Sequence, residues 1–126
     1  MKKVYSTDQA PAAIGPYSQA VEVDNTVYIS GQIPLNPETM EVVSQTIEGQ
    51  THQVMKNVGA ILKEAGLDYK DLIKTTILLD SMDDFATVND IYASYLEEPY
   101  PTRAAFEVSR LPKDVKVEIE GIAMRG

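Results

Sequence analysis

The 126-residue chain contains no cysteine and no tryptophan, and its only histidine is His52. Without thiols it can form neither a disulfide nor a thiolate metal site, and a lone imidazole cannot build a histidine cluster. Catalysis, if any, must rest on other groups, and neither a metal nor a cofactor is expected. Cationic side chains are few, 11 Lys and Arg against 19 Asp and Glu, which leaves a net charge of −8. Such a chain lacks the basic field that sequence-independent nucleic-acid binding needs and is repelled by anionic lipid, so neither nucleic acid nor membrane is an expected partner. Long apolar runs are missing too. Lys2 and Lys3 follow Met1, but no apolar segment succeeds them and none reaches membrane-spanning length. The chain reads as unprocessed and soluble, with the cytoplasm as its expected location.

What is present suffices for one domain, read here as residues 1–126. Hydrophobic residues make up 44% of the chain, and a chain of this size buries about two-thirds of its unfolded surface. No internal repeat, low-complexity tract or linker interrupts it. Two prolines and a glycine shape Gln9 to Tyr17 into a loop, after which Ala20 to Val23 alternates as a strand. Asp24-Asn25 is a turn signal, and Thr26 to Gln32 is β-branched and aromatic, so the two strands form a hairpin. Asn36-Pro37-Glu38-Thr39 marks the next turn. From Ile47 the apolar positions change to helical spacing, through Val54, Met55, Val58, Ile61 and Leu62 to Ala65, and Gly66 stands where a left-handed cap belongs. Leu72 to Leu79 reads as a covered central strand. Ser81-x-x-Asp84 opens a second helix whose stripe is Phe85, Val88, Ile91, Tyr92, Tyr95 and Leu96, and Pro99 and Pro101 end it. Two more strands follow, around 102–108 and 115–123. The order implies an α+β fold, a single mixed β-sheet with two α-helices packed on one face, with a further short strand possible at each end.

The last two strands carry a charged pair, Arg103 and Glu118. If they pair as a hairpin across residues 111–114, Ala104, Phe106 and Val108 lie under the helices and Arg103 and Glu118 share the other face. Their separation in that register is roughly 13 Å at 3.3 Å per residue. That is too far for an ion pair and right for two long side chains converging on a small charged metabolite. Alternation alone, however, leaves such a face solvated, because charged residues are rarely buried. Asp83 and Asp84 read as helix-capping residues rather than as metal ligands. His52 lies beside the apolar stripe, at the surface.

The segments APAAIGPY (Ala10 to Tyr17), SGQIP (Ser30 to Pro34), DFATVN (Asp84 to Asn89), Pro101 to Arg103 and RLPKDVKVEIEGIA (Arg110 to Ala123) together resemble the reactive intermediate deaminase family, RidA, also called YjgF. The resemblance runs the length of the chain. It implies a chorismate-mutase-like fold and a homotrimer, with sheets packed into a central barrel and clefts between subunits. It implies a metal-free hydrolase that converts enamine and imine products of pyridoxal-phosphate dehydratases, such as 2-aminoacrylate, into 2-keto acids and ammonia. By the same resemblance Arg103 holds the substrate carboxylate and Glu118 orients water and shuttles protons. Ser30 and Gly31, the backbone at Ala104 and Ala105, Tyr17 and Asn89 complete the pocket. A guanidinium suits its role because it stays charged and donates two parallel hydrogen bonds. One departure is Ala105, where many relatives carry cysteine. Two other readings stand beside this one: a non-enzymatic module that binds a 2-keto acid or a partner, and an endoribonuclease, against which the charge of −8 and the lack of a histidine pair both weigh.

Overall fold

The computed structural model describes residues 1–126. Its elements are β1 (Lys3–Tyr5), β2 (Ala20–Val23), β3 (Thr26–Gln32), α1 (Ile47–Glu64), β4 (Leu72–Leu79), α2 (Phe85–Ser94), β5 (Thr102–Glu107) and β6 (Val117–Met124). The strands form one mixed sheet in the order β1-β2-β3-β6-β4-β5, in which β4 and β5 run parallel and every other neighbouring pair antiparallel. The α+β reading therefore holds. The short strand expected at the N-terminal end is β1, and the C-terminal end has no counterpart.

Local chemistry accounts for most element boundaries. The β2–β3 hairpin turns on Asp24 and Asn25, whose φ values of 50° and 66° are those of a type I′ turn. Thr46 starts α1 by accepting the Gly49 N–H on its Oγ1 at 3.0 Å, and Gly66, at φ 75°, follows its last turn in the left-handed conformation. Ser81 caps a short 3-10 turn, Met82–Asp84, by accepting from the Asp83 N–H, so α2 itself starts only at Phe85. No helix is long and apolar enough to cross a membrane.

Both helices pack on one side of the sheet. Val54, Met55, Val58, Ile61 and Leu62 of α1 meet Val27, Ile29, Ile77, Leu79, Val117 and Ile119, none more than 4% exposed. At about 25 cal/mol per Å² of apolar area removed from water, this layer is the main source of stability. The opposite side of the sheet has no helix over it. Val4, Tyr28, Phe106 and Met124 project there and are 58%, 46%, 54% and 45% exposed, an unusual amount of large apolar surface for one sheet face.

The hairpin expected between the last two strands does not form. β6 inserts between β3 and β4, while β5 lies outside β4 at the sheet edge and runs parallel to it. The tight link expected at 111–114 is instead a 3-10 turn, Pro112–Asp114, in a connection that carries the chain past β4. Faces change accordingly. Arg103 registers with Thr75 and Ala105 with Ile77, on the helix side, whereas Ala104 and Phe106 register with Thr76 and Leu78 on the uncovered side. Glu118 registers with Leu78 and so belongs to the uncovered side as well. Arg103 and Glu118 thus occupy opposite faces of the sheet.

The sheet's outer strands are tied down by polar contacts. Arg125 donates to Glu22 at 2.8 Å, to the Tyr5 hydroxyl at 3.2 Å and to the Ala65 carbonyl at 2.8 Å, joining β2, β1 and the end of α1. Buried Gln19 holds the N-terminal loop through its Nε2, which donates to the carbonyls of Thr7, Ala10 and Pro11.

Candidate active site

The site residues named from the sequence fall into two groups. The first surrounds Glu118. Between Ile29 and Gln32 the β3–β6 register slips by one residue, a β-bulge at Ser30-Gly31. The bulge is held by the Ser30 N–H donating to the Gln19 carbonyl at 2.9 Å and the Ser30 hydroxyl donating to the Ser18 carbonyl at 2.6 Å. It leaves Gln32 turned inward and buried, and brings Gly31 against Glu118. A Cβ on Gly31 would overlap the Glu118 carboxylate, so any other residue at this position displaces that carboxylate. Half-burial pushes the Glu118 carboxyl above its ordinary value of 4.5, and the negative charge of Glu120 adds to the rise. Tyr17, 53% exposed, lines a groove of about 630 Å³ together with Ser18, Tyr28 and Ser30.

The second group surrounds Arg103. Its Nη1 donates to Asn89 Oδ1 at 2.6 Å, and the guanidinium carbon lies 5.2 Å from the Phe85 ring centroid and 5.4 Å from that of Tyr92. No carboxylate pairs with it; the ion pairs of the chain are Arg110–Asp114 and Arg125–Glu22. It opens onto a pocket of about 450 Å³ lined with Asn89, Tyr92, Ala93, Tyr100 and Pro101. Ala104 and Ala105 follow on β5, whose outer edge pairs with no strand, leaving the backbone polar groups of that edge available. Ala105 itself packs on the core.

The two groups do not meet within one chain. From the registers, the Arg103 and Glu118 Cα atoms lie about 14 Å apart across two strand spacings and three residues. The expected convergence fails not on distance but on direction, because the side chains leave opposite faces. The largest groove, about 820 Å³ and lined by residues that include Lys56, Lys63 and Tyr69, contains none of these site residues. No group of three His, Asp or Glu side chains is placed to hold a metal ion. Sequence reading missed Phe85 and Tyr92 as walls for the guanidinium. Their spacing from Asn89, four and three residues, was a usable signal absorbed into the apolar stripe of α2.

Residues 7–125 match the family described as Endoribonuclease L-PSP. The chain belongs to this family, the RidA or YjgF family. It is similar to the 2-iminobutanoate/2-iminopropanoate deaminase of Mus musculus, 52% identical over 126 residues that span 100% of this chain and 93% of that protein. Among solved structures it is similar to a putative endoribonuclease from Thermotoga maritima, with a TM-score of 0.97 at 48% identity, covering 100% of this chain and 99% of that one. It is likewise similar to E. coli TdcF with bound serine, at a TM-score of 0.93 and 45% identity, covering 98% and 99%. The single mixed sheet with two helices is thus the fold of solved RidA-family proteins, and the motifs SGQIP, DFATVN and RLPKDVKVEIEGIA sit at the bulge, at the start of α2, and on β6 with the turn before it.

Proposed function

We propose that the protein hydrolyses 2-imino acids and their enamine tautomers to 2-keto acids and ammonia, in a pocket assembled between two copies of the chain. The substrate class follows from relatives named for 2-iminobutanoate and 2-iminopropanoate. The observation that carries the reading is Arg103. It is a guanidinium with no carboxylate partner, flanked by two aromatic rings beside a pocket, an arrangement that suits a carboxylate ligand.

In this mechanism Arg103 binds the substrate carboxylate while Asn89 fixes one of its nitrogens. Glu118 takes a proton from water as the water oxygen bonds to C2 of the imine, the C=N electrons move to nitrogen, and Glu118 hands the proton to that nitrogen. The Glu118 carboxylate then takes the carbinolamine hydroxyl proton as the C=O bond forms and passes it to the nitrogen, which leaves as ammonia when the C–N bond breaks. A carboxyl held above its ordinary value returns the proton more readily than an ordinary one. Ser30, Gly31 and Tyr17 stand on the Glu118 side, and Ala104 and Ala105 on the Arg103 strand.

Because Arg103 and Glu118 leave opposite faces, the pocket needs Arg103 from one copy and Glu118 from the next. A homotrimer whose uncovered sheet faces pack together would supply such clefts and bury Val4, Tyr28, Phe106 and Met124. The test is to supply the imine with a serine or threonine dehydratase and follow keto-acid release. Faster release than in buffer is expected, and an unchanged rate would overturn the reading. The structure of E. coli TdcF with bound serine favours a second possibility, a binding module without turnover. In that case 2-ketobutanoate binds but release stays at the buffer rate.

A further inference from the structure

On α2, Phe85, Asn89 and Tyr92 fall four and three residues apart, which places them on one face of the helix. All three converge on the guanidinium of Arg103, two by their rings and one by a hydrogen bond. Tyr92 is fixed in turn from the sheet. Its hydroxyl and Thr75 Oγ1 are 2.6 Å apart, and the two residues are 4% and 2% exposed. Thr75 is also the β4 residue in register with Arg103. The contacts therefore close a ring: Arg103 to Thr75 through the sheet, Thr75 to Tyr92 through the hydroxyl bond, and Tyr92 back to the guanidinium.

Packing alone does not call for this pair of hydroxyls. A valine and a phenylalanine of the same shape would fill the space with little loss, since replacing both partners of a buried hydrogen bond by apolar groups is nearly neutral. What the hydroxyls add is a fixed tilt for the Tyr92 ring. That matters to an arginine because its long side chain otherwise has rotamer freedom that ligand capture must quench.

We propose that Tyr92 is the positioning residue for Arg103, the Thr75–Tyr92 bond setting the ring plane against which the guanidinium rests and so presenting its free edge to the substrate carboxylate. The proposal rests on the carboxylate-binding role given to Arg103 above. It assigns Tyr92 to substrate affinity and not to the chemical step.

Calorimetric titration with 2-ketobutanoate gives Kd, and keto-acid release at saturating imine gives kcat. Tyr92→Leu is expected to weaken Kd by about tenfold with kcat within about twofold of the parent. Tyr92→Phe, which keeps the ring and loses the bond, weakens it roughly threefold. Thr75→Val matches Tyr92→Phe, and the two together do no more than either alone, because they break one bond. Placed on Arg103→Ala, Tyr92→Leu changes Kd no further. An equal loss in both backgrounds, or none in either, overturns the positioning role while leaving Arg103 as the carboxylate site. An unchanged Kd in Arg103→Ala itself overturns the carboxylate reading and this one with it. If circular dichroism shows Tyr92→Leu unfolded, Tyr92→Phe and Thr75→Val decide the matter.

Discussion

The Glu118 carboxylate rests where the side chain of any other residue at position 31 would be, so Gly31 and Glu118 form a matched pair across β3 and β6. Gly31→Ala is expected to push the carboxylate aside while leaving the core intact. Loss of a positioned acid–base group lowers kcat by about a hundredfold or more. Keto-acid release and thermal melting measured together check this, the first falling and the second nearly unmoved.

Arg103→Ala is expected to lower kcat/KM by at least roughly tenfold, the value of one charged hydrogen bond. Arg103→Lys should not restore it, since an ammonium keeps the charge but neither stacks on Phe85 and Tyr92 nor donates in parallel. Recovery of parental kcat/KM in Arg103→Lys would show that charge alone is used.

Mixing Arg103→Ala with Glu118→Gln subunits, each impaired alone, should raise activity above that of either variant when they are unfolded and refolded together. Random assembly gives intact Arg103 and Glu118 in about a quarter of the clefts. If the pocket lay within one chain, no ratio of the two would exceed the activity of the better variant alone.

Glu118 also sets a pH dependence of stability. Its carboxyl is raised in the folded state, so the ionised form destabilises the fold above that value, and the penalty vanishes once both states are protonated. Glu118→Gln should therefore melt higher than the parent at pH 7. The gap should narrow as pH falls through the raised value and close below the ordinary 4.5. A melting series across that range is the measurement.

Glu22 behaves in the opposite sense. Its hydrogen bonds from Arg125 and Tyr5 hold the carboxyl down to about 2. The stability it lends is fully present above 4.5 and is lost as pH falls toward 2. Glu22→Gln should lower Tm slightly at neutral pH, since ion pairs open to solvent contribute little, with the difference disappearing in strong acid.

Much of the fold was legible because its signals are local. Asp24-Asn25 demanded a primed turn, Gly66 a left-handed cap, and the stripe from Ile47 to Ala65 a helix, and all three are where the pattern put them. The pairing of β5 and β6 was not legible, because strand partners are chosen by tertiary packing. Nothing between Arg110 and Val117 says that β4 will lie between them. The same gap hid the division of the site: parity along a strand fixes alternation, but which side faces the helices depends on the neighbour. Gly31 was placed in the pocket by resemblance alone, and the group that the structure brings against it is the Glu118 side chain.

That insertion of β6 between β3 and β4 has a further effect, on the order in which the protein can be made. A ribosome delivers the chain from its N-terminus, and a domain folds as a unit once its parts have emerged. Here the strand that joins the two halves of the sheet is the last of the eight elements to appear. Until Val117 and its successors are released, β3 and β4 have no sheet partner along their inner edges, and only the packing of α1 against β3 and α2 spans the two halves.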